Sequence, residues 1–221
     1  GEVAYPTPSG IWKAGIASEA GVKALDMYRR LTVETWPGKN GKPAGPIALL
    51  TTDRLSAIRE GKASMWFDYT NDVLLNMSDL DPSVLGVAAL PAGPAGRANE
   101  INAGMWAINA TVKDPKKLAA CWKFISFFAG ERAAQINTER FVELGMGRLV
   151  NPDWLEKFGY PDLAAQVDPL YVKASREVFE SGHPEPYGRN MQQVYAVLDQ
   201  ALDRAKLETE TPSLEILSTV A

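Results

Sequence analysis

A run of polar side chains follows directly after an apolar segment, and its residue types suit contact with a hydroxyl-rich ligand. The apolar residues 63–67 predict a buried strand. The polar run reads Asp68-Tyr69-Thr70-Asn71-Asp72. In open α/β sheets ligands bind beyond the carboxyl ends of strands, which is where this run is expected to lie. Carboxylates accept hydroxyl hydrogen bonds, and amides both donate and accept them. A helix N-cap at Asp68 or Thr70 explains the same run equally well.

Two further groups have residue types that could touch a ligand. Gly104, Met105 and Trp106 lie within a predicted strand over 103–109, where a glycine lets the backbone approach a ligand closely. Trp106 is equally typical of a core tryptophan. Arg148 could hold a ligand through its guanidinium fork, or it could be a solvated loop charge.

Catalytic chemistry has weaker support than binding. The strongest enzyme hypothesis is a glycosidase with Asp68 and Asp72 as paired carboxylates, which must lie about 5–9 Å apart. A cap and a solvated position explain these two residues more easily. His183 is the only histidine and Cys121 the only cysteine, so a zinc site, a Ser-His-Asp triad and an internal disulfide are not expected. We expect Cys121 to be a buried structural thiol, and we expect no metal ion or cofactor.

The composition indicates an acidic globular protein. The chain has 221 residues, a formal net charge of -4 and 46% hydrophobic residues, which is enough for one good core or two small ones. The sequence has no basic stripe, which argues against a nucleic-acid partner. Its longest apolar runs reach about ten residues, which is too short to span a bilayer.

Local signals predict helices and strands along the chain, and their alternation predicts an α/β fold. Ser18 is a potential N-cap for a helix over 18–31. Asp114-Pro115 opens the clearest helix, over 114–130, and a further buried strand is expected at 86–90. Further helical patterns lie at 52–60, 131–140, 153–158, 162–180, 190–206 and 212–219.

In order and spacing, five segments resemble the sugar- and polyol-binding branch of the extracellular solute-binding proteins. Residues 61–70 are similar to the family's F-x-x-G-K-A-A-M-W strand and its ligand-touching end. Residues 86–91 are similar to its V-G-x-A-x-x-P crossover, and residues 102–130 look like its G-G-x-x-x-A-I strand and A-W-K-F-I-x-F helix. The predicted helix over 18–31 and the segment Pro184-Glu185-Pro186-Tyr187 complete the set.

The resemblance implies a periplasmic-binding-protein-like type II fold, in which two α/β lobes joined by crossover segments close over a ligand. The similarity is to the C-terminal half of the family, so this fold is expected to be only partly present. Residues 1–86 and 148–221 are then expected to form the two parts of the C-terminal lobe. Residues 87–147 would hold the crossover strand and a segment of the N-terminal lobe, and the missing N-terminal half of the same protein becomes an expected partner.

Carried over by position, the resemblance implies a ligand site made of residues from four stretches. They are Asp68, Tyr69, Asn71, Gly104, Met105, Trp106, Arg148, and Tyr187 or Asn190. Two departures from the family pattern fall at this site. The family's paired glycine is here Ala103-Gly104, and its P-x-R turn is here residues 145–148, without proline.

The implied function is that of the substrate-binding component of an ABC-type importer, without enzymatic activity. The expected partners are a sugar or polyol and the permease subunits in the membrane. The expected location is periplasmic or extracellular, with a lipid anchor at the cell surface in a Gram-positive source. A sensor that reports the ligand to a membrane receptor would have the same fold and site, so that alternative stays open.

Overall fold

Helices dominate the computed structural model, which describes residues 3–50, 53–69, 81, 84–102 and 104–221. In chain order the helices are α1 (Glu19–Thr32), α2 (Arg54–Arg59), α3 (Pro115–Phe128), α4 (Glu131–Glu143), α5 (Pro152–Lys157), α6 (Pro161–Ala164), α7 (Pro169–Glu180), α8 (Met191–Leu207) and α9 (Ser213–Val220), with a 3-10 turn at Gly147–Leu149. The strands are β1 (Ala4–Pro6), β2 (Trp12–Ala14), β3 (Trp36–Pro37), β4 (Pro43–Ala44), β5 (Asn99–Glu100) and β6 (Gly182–His183). The pairs β1–β2 and β3–β4 are antiparallel, and β5–β6 is parallel. This mixture of helices and short strands is compatible with the predicted α/β class.

The chain forms two compact units. Unit 1 comprises Gly1–Ala57 and Pro186–Ala221, and unit 2 comprises Ile58–Glu185. These bounds differ from the three predicted segments, because residues 58–86 share unit 2 with residues 87–147 and 148–185. The pairing of β5 with β6 gives one physical reason, since it ties residue 99 to residue 182. The assignment of segments to the lobes of a binding protein stays a prediction.

Three helices enclose the main core of unit 1. Ser18 caps α1 as predicted, and its side chain accepts a hydrogen bond from N of Gly21 over 3.2 Å. The buried side chains of the core come from α1, α8, α9 and the segment before α1. They are Ile16, Leu25, Ala201, Ala205, Ile216 and Leu217. A smaller cluster of Ala4, Met191 and Val194 packs the β1–β2 hairpin onto α8.

The core of unit 2 is built largely from the short helices between residues 147 and 180. Its buried members are Val150, Leu155, Ala164 and Val167. The rings of Phe141, Tyr160 and Tyr171 pack against them. Asp114 caps α3 as predicted, and its Oδ1 accepts a hydrogen bond from N of Lys117 over 2.8 Å.

The prediction of strands at 63–67, 86–90 and 103–109 is wrong, because the described residues of these segments form no β ladder. Met65 and Phe67, expected in a buried strand, are 87% and 75% exposed. An apolar run becomes a strand only where another strand satisfies its backbone groups. In unit 2 the described parallel pairing is made instead by β5 and β6.

The expected burial of Cys121 is a second correction. Cys121 is half-buried, and every residue of α3 is at least partly exposed. The neighbouring Trp122 is 65% exposed. This helix carries much of its apolar surface outward within unit 2.

Candidate functional site

Tyr69, the second residue of the polar run, is hydrogen-bonded to a carboxylate that the sequence analysis did not single out. Oη of Tyr69 donates to Oε1 of Glu100 over 2.7 Å. Nearby, Nδ2 of Asn102 donates to Oε2 of Glu185 over 3.4 Å. Tyr69 is 42% exposed, so solvent reaches this group. We call Tyr69, Glu100, Asn102 and Glu185 the Tyr69 cluster.

The carboxylates of the Tyr69 cluster raise the pKa of the phenol. The hydrogen bond to Glu100 is the largest cause, followed by partial burial and by the negative charge of Glu100. A hydrogen bond with Asn102 acts in the opposite direction, and the charge of Glu185 adds to the increase. Tyr69 therefore keeps its proton at neutral pH and directs it toward Glu100.

The short parallel ladder between β5 and β6 positions Glu100. Glu100 is in register with His183, and N of Ile101 donates to the carbonyl oxygen of His183 over 2.9 Å. One residue earlier, the buried Asn99 donates from its backbone N to the carbonyl oxygen of Ser181 over 3.2 Å. The Nδ2 of Asn99 also donates to Oγ of Ser181. The Glu100 carboxylate is therefore carried on paired backbone rather than on a free loop.

Asp68 lies half-buried beside Tyr69, and its Oδ1 accepts the N–H of Tyr69 over 3.0 Å. Asn71, a predicted ligand contact, lies outside the described residues. So does Asp72, the second carboxylate of the glycosidase hypothesis. The helix-cap interpretation needs an N–H two or three residues after Asp68, and those residues are likewise not described.

Trp106 belongs to a cluster of aromatic rings on the surface of unit 2. Its ring centroid lies 5.4 Å from that of Phe124 in an edge-to-face arrangement and 5.2 Å from that of Phe128. The centroids of Phe124 and Phe128 are 4.7 Å apart, and Phe127 joins at 5.6 Å from Phe128. Trp106 is 56% exposed, so it is not a core residue of unit 2. An exposed aromatic surface of this kind suits the apolar face of a ligand or of another protein segment.

The other predicted contacts of unit 2 are exposed. Gly104 and Met105 precede Trp106 and face solvent. Arg148 extends from the 3-10 turn, between the buried Gly147 and Leu149. Burial of its neighbours makes this turn a fixed support for an exposed guanidinium.

Tyr187 and Asn190 belong to unit 1. Tyr187 is exposed. Asn190 adopts a left-handed conformation with φ of 75° immediately before α8, and its Nδ2 donates to the carbonyl oxygen of Trp12 over 3.3 Å. Asparagine tolerates this backbone region better than most residues. The contacts of Asn190 therefore explain it as a support for the start of α8.

The structure brings Tyr69 together with three residues that were not predicted as site residues. Asn102 and Glu185 each lie within a segment that carries the family resemblance, and that was a usable signal. Glu100 had no such signal, because its role depends on a strand pairing between distant parts of the chain. Trp106 packs against the rings of Phe124 and Phe128 in α3. None of the described side-chain contacts joins it to another residue of the predicted site.

Among the described residues, no group of three or more His, Cys, Asp and Glu side chains is arranged to hold a metal ion. None of the helices in the described part of the chain combines the length and the apolar character needed to cross a bilayer.

Comparison with known protein families identifies a match. Residues 3–135 match the family described as bacterial extracellular solute-binding protein. The matched region covers more than half of the chain and includes Asp68, Tyr69 and Trp106, whereas Arg148, Tyr187 and Asn190 lie beyond it. A search of curated proteins finds no match. The chain belongs to the bacterial extracellular solute-binding protein family.

Proposed function

We propose that this protein captures a sugar or polyol and delivers it to an ABC importer. The family establishes the coarser part: its members are extracellular or periplasmic, bind solutes, typically for ABC importers, and are generally not enzymes. To this we add three proposals: a hydroxyl-rich ligand, permease subunits as partners, and a lipid anchor in a Gram-positive source.

The observation that carries the proposal is the Tyr69 cluster. It gathers two carboxylates, a phenol and an amide at a solvent-accessible point of unit 2. These groups match the many hydroxyls of a polyol, because carboxylates accept hydrogen bonds and the amide group can both donate and accept. The cluster begins at the segment that resembles the family's ligand-touching strand end.

The exposed ring of Trp106 supports the same ligand class. A flat aromatic surface excludes water from the C–H face of a sugar without demanding hydrogen-bond partners there. In this proposal Asp68, Asn71, Gly104, Met105 and Arg148 contribute further contacts. An N-terminal half of the same protein supplies the opposite wall of the pocket.

Paired substitutions with a binding measurement and a stability measurement test the proposal. Asp68→Ala and Trp106→Ala should each weaken binding of a sugar or polyol by about one to two powers of ten. The melting temperature of the unliganded protein should change little in Asp68→Ala and should fall only modestly in Trp106→Ala, whose ring is mostly exposed. Trp122→Ala is the matched control, since Trp122 is also an exposed tryptophan of unit 2, and it should bind as the unaltered protein does.

The opposite pattern would contradict the proposal. If Asp68 is only a cap, Asp68→Ala should cost about 1 kcal/mol of stability, and any loss of affinity should follow unfolding. If the Trp106→Ala and Trp122→Ala proteins bind the sugar or polyol with equal affinity, Trp106 does not contact the ligand.

A further inference from the structure

We infer that Glu100 is a specificity-determining residue, which turns Tyr69 into a hydrogen-bond acceptor and thereby selects a donor-rich solute that carries no acidic group. This inference rests on the function proposed above. It adds to that function a residue outside the predicted set and a restriction on the charge of the ligand.

The first step is the direction of the proton of Tyr69. A phenol has one O–H donor and retains lone pairs that accept. Because Oη of Tyr69 donates to Oε1 of Glu100 over 2.7 Å, its single proton is committed to that carboxylate. What Tyr69 then offers to a ligand is its lone pairs. A ligand that meets this group must bring a hydroxyl or an amine proton of its own.

The second step is the chemistry of the surrounding side chains. When ionised, the carboxylates of Glu100 and Glu185 can accept hydrogen bonds but cannot donate them. The amide of Asn102 is a donor, but Nδ2 is directed at Oε2 of Glu185. Asn102 also shares a hydrogen bond with Tyr69, which leaves further acceptor capacity on the phenol oxygen for a ligand. Asp68, next to Tyr69 in the chain, adds another carboxylate. The group is therefore rich in acceptors, which suits a solute with many donors.

The third step is charge. An acidic solute would bring a carboxylate toward Glu100 and Glu185, and like charges in close contact cost several kcal/mol in general. Arg97, the cation nearest to Glu100 in sequence, is engaged elsewhere, at 3.6 Å from Glu177 and in a hydrogen bond to the carbonyl oxygen of Leu90. Arg148, the cation among the proposed ligand contacts, extends from the 3-10 turn at Gly147–Leu149, and no contact with the Tyr69 cluster is described for it. His183 is the backbone register partner of Glu100 in the β5–β6 ladder. Neutral or amino-bearing solutes are therefore favoured over acids.

The raised pKa of the Tyr69 phenol agrees with this arrangement, because the neighbouring carboxylates of Glu100 and Glu185 cause part of the increase. The ladder between β5 and β6 holds the backbone of Glu100 before any ligand arrives, and the hydrogen bond from Tyr69 holds its carboxylate. A preorganised acceptor of this kind avoids the entropy cost of ordering a side chain during binding.

The first test follows the ionisation of Tyr69 by ultraviolet difference absorption in the full chain. Titrating each protein against the same protein carrying Tyr69→Phe isolates this one phenol. In Glu100→Gln the pKa of Tyr69 should fall, because a neutral amide replaces the ionised carboxylate that accepts the phenol proton and that adds its negative charge. Glu143→Gln is the matched control, since Glu143 is an exposed carboxylate paired with Arg140 at 3.0 Å, and it should leave the titration unchanged. An unchanged pKa of Tyr69 in Glu100→Gln would overturn the inference.

The second test measures charge selectivity by calorimetric titration with matched probes. The probes are D-glucose, D-glucuronate and D-glucosamine, and the pair glucitol and gluconate. The unaltered protein should bind the neutral or amino member at least about tenfold more tightly than the acid, which corresponds to about 1.4 kcal/mol. Glu100→Gln should reduce that ratio several-fold, whereas Glu143→Gln should preserve it.

Acids that bind as tightly as their neutral counterparts would overturn the inference, as would a ratio that Glu100→Gln leaves unchanged. The absence of binding by every probe would instead contradict the proposed sugar or polyol ligand. In that case the titration of Tyr69 still decides whether Glu100 sets the state of the phenol.

Discussion

Arg29 of α1 donates through Nε to the carbonyl oxygen of Ala205, near the carboxyl end of α8, over 3.1 Å. Its Nη1 donates to the carbonyl oxygen of Thr211 over 2.8 Å, and its Nη2 donates to that of Glu208. The last carbonyls of a helix have no partner within the helix, and a cation near them is favourable. A single guanidinium therefore closes the end of α8 and joins it to α1.

Removing this guanidinium should destabilise unit 1. We expect Arg29→Met to lower the free energy of unfolding by about 2–3 kcal/mol, because several partly buried carbonyls lose a charged donor. Arg29→Lys should recover only part of the loss, since an ammonium lacks the planar fork. Urea denaturation measures both. Lys23→Met is the control, because the Lys23–Glu19 pair on the same helix is highly exposed. Equal midpoints for Arg29→Met and Lys23→Met would contradict the role of Arg29.

A second prediction concerns stability in alkaline solution. Burial raises the pKa of Tyr171, and a hydrogen bond with Ser175 acts in the opposite direction. The unfolded chain loses this proton near pH 10, as an ordinary tyrosine does at about that pH. Between that value and the higher pKa of the folded state, the folded protein binds more protons. The contribution of Tyr171 to the free energy of unfolding should therefore be fully present below about pH 10 and should be lost above it.

Tyr171→Phe should make this alkaline loss smaller. At neutral pH the same substitution should cost about 0.5–1.5 kcal/mol, because Oη of Tyr171 donates to the carbonyl oxygen of Leu149 over 2.7 Å. Urea midpoints between pH 7 and about pH 11 measure both effects. Tyr187→Phe, at an exposed position, should keep the alkaline loss of the unaltered protein. If the urea midpoint falls equally steeply with pH in the unaltered protein, Tyr171→Phe and Tyr187→Phe, the alkaline loss of stability does not come from Tyr171.

A third prediction compares an exposed tryptophan with a core leucine of unit 2. Trp106→Ala should cost about 0.5–1.5 kcal/mol, because the ring is mostly exposed and loses mainly its contacts with Phe124 and Phe128. Leu155→Ala should cost about 2–5 kcal/mol, because Leu155 is fully buried. Urea denaturation of the two variants gives the comparison. If Trp106→Ala lowers the free energy of unfolding more than Leu155→Ala does, Trp106 is a core residue and this prediction is wrong.

The helices could be predicted from sequence because their signals are local. Ser18 and Asp114 cap α1 and α3 through N–H groups only three residues away. Pro115 adds a fixed φ at the first helical position of α3. These devices act within one turn, so a single sequence is enough to read them.

The strands and the partners of Tyr69 could not be predicted in the same way. β5 pairs with β6 across more than eighty residues of chain, and no spacing rule links Glu100 to Gly182 or His183. The apolar run at 63–67 carries a strand signal but makes no described pairing. Tyr69 was predicted from its own type and position, whereas Glu100 becomes recognisable only when the ladder brings it to the phenol.

The most direct test of solute binding without chemistry is nuclear magnetic resonance of small sugars and polyols mixed with the full chain. Saturation transfer from protein to ligand should appear for at least one neutral sugar or polyol, and it should weaken in Tyr69→Phe and Trp106→Ala. The ligand spectrum should stay unchanged on prolonged incubation, because nothing is converted. New product signals would contradict the account by revealing an enzyme, and the absence of saturation transfer from every sugar and polyol would contradict it by removing the ligand class.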